Sequence, residues 1–166
     1  MKNQELHEIY ELLKKVDFLY KLSVVEINTL INKFEKMVLK KGTVIIRQGG
    51  MGDTFFLVSE GKLAVWVKRL DGKKVFVRHL GKGSYFGEMS LLTGDKRTAT
   101  VITEEKTVLF KLSKKDFGYT LSKNPAIIES ISQVVSMRRD QLAREGEKTV
   151  KRESLGKRIL VFFNLD

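Results

Sequence analysis

A carboxylate at Glu88 and a guanidinium at Arg97 stand around one short, glycine-flanked segment, residues 86–101, and this pairing holds most of the chemistry in the chain. Glu88, acceptor-only when ionised, suits the protons of two neighbouring hydroxyls, while Arg97 offers a rigid fork of donors to the oxygens of a phosphate. Gly87 lets the backbone turn tightly where a side chain would block a ligand. Met89, Ser90, Leu91 and Leu92 then make about one helical turn whose free N–H groups face an anion. Hydroxyls and a phosphate on one small molecule describe a sugar phosphate. The bland alternative is a solvated loop carboxylate with its surface partner.

Composition narrows the chemistry further. With no cysteine there is no disulfide framework, thiol nucleophile or Cys-type zinc site, and a reducing, cytoplasmic setting is permitted. His7 and His79 lie far apart, so neither has a second histidine at metal-ligand spacing, and no metal is expected. His79, in the run Val77-Arg78-His79-Leu80, reads as an ordinary strand residue. An enzyme would need a nucleophile and base, or a metal set, converging on Glu88 and Arg97, and the chain offers neither. The net charge of +11 suits nucleic acid, an anionic membrane surface or small anions, but no reading helix or base-stacking motif accompanies it, so specific DNA binding is not expected. No run is apolar enough to span a membrane, and the start lacks an apolar signal core.

The elements that must hold the pair fall into a helix–strand–helix order. Leu6, Ile9, Tyr10, Leu13 and Val16 recur at helical spacing, and Ser23 to Glu26 is a capping-box start for a second helix through Ile27, Leu30, Ile31 and Phe34. Residues 1–41 therefore read as an N-terminal helical segment. From 42 to 112 the pattern changes to short β-branched and aromatic runs at 43–47, 54–59, 62–69, 74–80, 98–103 and 107–112. Asp71-Gly72 is a hairpin signal, and glycines punctuate the rest. Many short strands of this kind read as a sandwich or roll. Ser113 to Asp116 caps a short helix ending near Ser122, and Asn124-Pro125 opens a longer one with the stripe Ile127, Ile131, Val134, Val135 and Leu142. These helices occupy 113–145, and 146–166 is a basic linker with a short amphipathic tail.

On the residues F-G-E-M-S-L-L (86–92) and R-T-A-T-V (97–101), the chain resembles the cyclic nucleotide-binding domain of the bacterial cAMP receptor protein, protein kinase A regulatory subunits and cyclic nucleotide-gated channels. The glycine and apolar run from Gly42 through Gly49, Gly52, Asp53, Phe56 and Val58 to Gly61 is similar to the same family. The resemblance covers residues 17 to about 140. It implies a mainly β fold, an eight-stranded jelly roll (double-stranded β-helix) with N-terminal helices and a C-terminal lid helix pair. It further implies cAMP or cGMP as the ligand of a non-catalytic regulatory sensor, cAMP being preferred. A barrel that has lost its ligand and serves as a protein-interaction or membrane-surface module is the alternative.

The site the resemblance implies comprises Phe86, Gly87, Glu88, Met89, Ser90, Arg97, Thr98 and Ala99, with Val67 from the run at 62–69 and Arg138 from the last helix. A hydroxyl at Thr98 can meet the exocyclic amine of a syn guanine as well as a phosphate oxygen; strand propensity alone also explains a threonine there. Arg138 falls on the apolar stripe of its helix, where it either caps the base or snorkels outward. Too few residues follow position 140 for a winged helix-turn-helix of the cAMP receptor type. The tail, with Leu155, Ile159, Phe162 and Phe163 on one helical face, resembles the end of cyclic nucleotide-regulated relatives of small-conductance mechanosensitive channels. That likeness points to an effector domain or partner protein, a membrane channel among the options, at the cytoplasmic face of the membrane; a homo-oligomer is compatible with it.

Overall fold

The computed structural model describes residues 2–124 and 126–145. Helix α1 (Asn3–Leu13) buries Ile9 and Leu13 of the expected stripe and, beside them, Leu12, which that stripe does not include. Two polar links fix it to the strands: Lys36 Nζ lies 3.0 Å from Glu5 Oε1, and the Ser59 hydroxyl donates to the Glu8 carboxylate. A 3₁₀ turn (Asp17–Leu19) leads to α2 (Val24–Ile31), whose capping box is complete. Glu26 N donates to Ser23 Oγ at 3.3 Å and Ser23 N to Glu26 Oε2 at 2.8 Å.

Eight strands follow: β1 (Glu35–Leu39), β2 (Val44–Ile46), β3 (Thr54–Glu60), β4 (Leu63–Lys68), β5 (Lys74–Leu80), β6 (Tyr85–Phe86), β7 (Thr100–Thr103) and β8 (Thr107–Ser113). They form two four-stranded antiparallel sheets, ordered β1-β8-β3-β6 and β2-β7-β4-β5. This is the expected jelly roll: mainly β, with helices at both ends. Helix α3 (Glu88–Thr93) interrupts the strands between β6 and β7, and α4 (Lys114–Lys123) and α5 (Ile127–Glu145) follow β8. Phe55, fully buried in β3, ties the layers together, its ring centroid 6.4 Å from Phe34, 5.9 Å from Tyr85 and 6.1 Å from Phe117.

Two strands depart from the expectation. The helix expected to run through Phe34 stops at Ile31, and Glu35–Leu39, inside the stretch read as helical, is strand β1. Its five residues pair in unbroken register with β8, from Glu35↔Lys111 to Leu39↔Thr107, so cross-strand pairing outweighs a local sequence too polar to announce a strand. Strand β6 was missed because two residues between glycine-rich turns carry no periodicity. Partners on β3 define it, Phe56↔Phe86 and Leu57↔Tyr85, with the two phenylalanine rings stacked at 4.9 Å.

Ser113 caps α4 as expected, accepting from Asp116 N. Asn124 does more than start α5. Its carbonyl accepts from Ile127 N at 3.2 Å, while its Nδ2 donates to Lys21 O at 3.2 Å and Glu26 Oε2 at 3.3 Å. The α4–α5 junction is thereby tied to the N-terminus of α2. Ile127, Ile131 and Val135 of the predicted stripe are buried, and α5 packs against the 3₁₀ turn and β5. The Leu142 side chain, Pro125 and the 146–166 tail lie outside the described residues.

Candidate functional site

The site is built where β6 hands over to α3. Gly87 adopts φ +87°, and a Cβ there would sit 2.6 Å from the Thr54 carbonyl oxygen and 3.0 Å from Arg97 Nη1. Glycine is required at this position by conformation and by space at once. The flip starts α3 at Glu88, and Gly94, at φ +71°, ends it. Every residue of α3 is buried, with Glu88 only 1% exposed.

Arg97 returns to this turn from the following loop. Its backbone is held on both sides by the β2–β3 loop: Arg97 N donates to Gly50 O at 2.7 Å and Gly49 N to Arg97 O at 2.8 Å. Its side chain reaches inward, Nη1 donating to Gly87 O at 2.8 Å and Nη2 to Thr54 O at 3.0 Å. Nε is buried and has no hydrogen-bond partner among the described residues. Two of the five guanidinium donors are thus engaged by backbone, which fixes the fork and leaves donors for an anion. Burial pushes the Arg97 pKa down, and the carboxylates of Asp53 and Glu88 act against that shift, so the guanidinium stays cationic. A buried cation with an unsatisfied donor is expensive unless something anionic completes it.

Beside the pair opens a cleft of ≈ 540 Å³, its open mouth included. Phe86, Gly87, Glu88, Met89, Ser90, Arg97, Thr98 and Ala99 all line it. The Thr98 hydroxyl donates to the Met89 sulfur at 3.6 Å, a weak acceptor. Val67 does not line the cleft. It is fully buried in β4, and the lining valine of that strand is Val65, two residues earlier on the same face. Arg138 belongs to α5, and its side chain lies outside the described residues.

Several lining residues escaped the sequence reading, among them Ile46, Val77, Arg78 and Val101. The β4–β5 register jumps from Val65↔Arg78 to Trp66↔Phe76, leaving Val77 as an extra residue. At such a bulge the in–out alternation breaks, and the neighbours Val77 and Arg78 both border the cleft. Alternation read from sequence would have sent one of them outward. Gly52 was missed as a site residue as well: a Cβ there would lie 2.4 Å from Ser90 Cβ and 2.6 Å from Arg97 Nε. His79 is an ordinary strand residue, Nε2 resting 3.0 Å from Glu104 Oε2. Among the described residues no cluster of three or more His, Cys, Asp or Glu could hold a metal ion.

Comparison with known proteins agrees with this geometry. The sequence profile of the family described as "Cyclic nucleotide-binding domain" matches residues 36–124, from β1 to the end of α4. The chain is 39% identical over 98 residues, 58% of its own length and 10% of the relative's, to a cGMP-dependent protein kinase (isozyme 2) of Drosophila melanogaster. It is 30% identical over 139 residues, 84% of its length and 38% of the relative's, to a cyclic nucleotide-gated potassium channel of Rhizobium etli. Among solved structures it is similar to the catabolite activator protein of Thermus thermophilus, with a TM-score of 0.67 and 26% identity over 78% of this chain and 61% of that one. The chain thus spans between a tenth and two fifths of the length of these two sequence relatives. With the profile matching more than half of the chain and taking in both sheets, Glu88 and Arg97, the protein belongs to the cyclic nucleotide-binding domain family.

Proposed function

We propose that the cleft binds a cyclic nucleotide and that the protein is a non-catalytic sensor module. The observation that carries this reading is the buried Arg97 guanidinium, fixed by the carbonyls of Gly87 and Thr54 with Nε left unpaired. In this reading the cyclic phosphate takes the remaining Arg97 donors and the first N–H groups of α3, Glu88 accepts from the ribose hydroxyl, and Val65, Val77 and Ala99 enclose the base. In this reading the ligand is held and released unchanged.

The preferred ligand is cAMP. A second reading, cGMP, is favoured by one observation: Arg78 borders the same cleft as Thr98, and an arginine fork suits the O6 and N7 acceptors that guanine presents. Calorimetric titration with cAMP, cGMP and AMP decides among these outcomes. Tight binding of either cyclic nucleotide with weak binding of AMP supports the proposal. Equal binding of AMP, or no binding of any, sinks it.

Binding becomes a signal through α5. Arg78 borders both the nucleotide cleft and a neighbouring cleft bounded by Val134 and Met137 of α5, so the two share a wall. Ligand favours whichever α5 position also contacts it, a shift of population rather than a new fold. The effector is a partner domain or protein, a membrane channel being the candidate that the resemblance of the 146–166 tail suggests, and the module works on the cytoplasmic side, alone or as a homo-oligomer.

A further inference from the structure

Away from the nucleotide cleft, the β4–β5 hairpin sets like charges side by side. Lys68 and Lys74 are register partners, so both side chains leave the same face directly opposite each other, an arrangement that costs stability. Arg69 and Lys73 extend the charge to the tip. The one acidic residue there, Asp71, has its carboxylate engaged within the turn, accepting from Lys73 N at 3.0 Å.

The apex of this basic hairpin is bare and aliphatic: Leu70 is 89% exposed. The turn holds it so, with Arg69 N donating to Lys73 O at 2.8 Å and Gly72 N to Arg69 O at 3.0 Å. The β2–β3 loop is clamped alongside. Gln48 Nε2 donates to Lys68 O at 3.0 Å, and Lys68 N donates to Gln48 Oε1 at 2.6 Å. That loop adds Arg47 and a second aliphatic tip, Met51, which is 80% exposed.

We propose that this tip, the β4–β5 hairpin with the adjoining β2–β3 loop, docks on an anionic phospholipid bilayer. Leu70 and Met51 enter the headgroup layer while Arg47, Lys68, Arg69, Lys73 and Lys74 engage the anionic headgroups. Charge complementarity names the partner's sign, and the aliphatic tips name its chemistry. Nucleic acid fits less well, because Leu70 and Met51 cannot stack on bases and the nearby aromatic pair, Trp66 and Phe76, packs edge to face at 5.5 Å. Among the described residues no helix is long and apolar enough to cross a membrane; the surface docks without spanning. Residues 68–74 do not line the nucleotide cleft, so the inference stands apart from the ligand reading.

Trp66, the only tryptophan in the chain, sits in this hairpin and reports on it. The full chain is mixed with vesicles of phosphatidylcholine alone, with vesicles that also contain phosphatidylglycerol, and with duplex DNA, at low and high salt. Cosedimentation with the anionic vesicles only, weakened by salt, together with a blue shift of Trp66 emission, is the expected result. Lys68→Gln with Lys74→Gln should weaken that binding by about thirtyfold, and Leu70→Ser should remove the emission shift, both with unchanged nucleotide affinity and with thermal unfolding no lower than that of the wild type. Vesicle binding that survives both variants with Trp66 emission unmoved would place the contact elsewhere and overturn the proposal. So would a Trp66 response to DNA and not to vesicles, or no response to either.

Discussion

Arg97 serves two purposes, and a substitution should separate them. Its Nη atoms satisfy the Gly87 and Thr54 carbonyls, so it supports the fold; in the proposed function its remaining donors take the phosphate. Arg97→Ala should lower cyclic nucleotide affinity about a hundredfold, from loss of a buried charge-assisted pair worth roughly 3 kcal/mol. It should also lower stability, because two part-buried carbonyls lose their donors, by about 1 kcal/mol. Titration calorimetry and denaturant unfolding read the two effects, and unchanged affinity would remove Arg97 from the site. Gly52 tests the same guanidinium by pressure. Gly52→Ala pushes against Ser90 and Arg97 Nε and should cost about tenfold in affinity. Gly42→Ala is the control: its φ is +80° with nothing within 4 Å of a Cβ, so it adds backbone strain and leaves affinity alone. Equal losses in the two variants would show that Gly52 acts through the fold.

At the scale of elements, the junction between α4 and α5 is governed by Glu26. Hydrogen bonds from the Ser23 hydroxyl first, then from Ser23 N and Asn124, hold its carboxyl below the ordinary glutamate value of 4.5. A folded-state pKa depressed in this way stabilises the fold above the unfolded value, and the gain is lost as pH falls through the folded one. Wild type should therefore lose its advantage over Glu26→Gln as pH drops below about 4.5; above that value it should melt higher. Thermal melts from neutral to acid pH check the sign, and a gap that widens with acid would refute the link. Asn124→Ala should show a smaller gap of the same form, since it removes only the last of the donors.

For the whole molecule, the prediction concerns how the two halves communicate. In the proposed function, ligand in the cleft would press on Arg78, which also bounds the cleft beside α5. Amide exchange over residues 127–145 should slow when cAMP is added, while the core strands β3 and β8 keep the protection they already have. Truncation before Arg138 should lower affinity without unfolding the two sheets. Exchange indifferent to ligand, with affinity unchanged after truncation, would mean that the signal leaves by another route.

What the amino-acid sequence determined by itself was local. The glycine-flanked Glu88 and Arg97, the Ser23 and Ser113 caps, the Asp71-Gly72 hairpin and the apolar stripe opening α5 were all legible, because each rests on residues a few positions apart acting through backbone conformation or helical spacing. Tertiary structure decided the rest. Strand β1 exists because β8 lies beside it, and β6 because β3 does; neither has enough local signal to declare itself. The register jump from Val65↔Arg78 to Trp66↔Phe76 leaves Val77 as an extra residue and brings both Val77 and Arg78 to the cleft, a one-residue shift in pairing that no period-two reading could foresee. Gly52 lies beneath Arg97, and Asn124 ties two helices, only once the chain has brought residues 45 and 98 positions apart into contact. A motif states which groups a ligand needs, but register and packing set which neighbours those groups keep, since both are settled by pairing energies summed over strands distant in sequence.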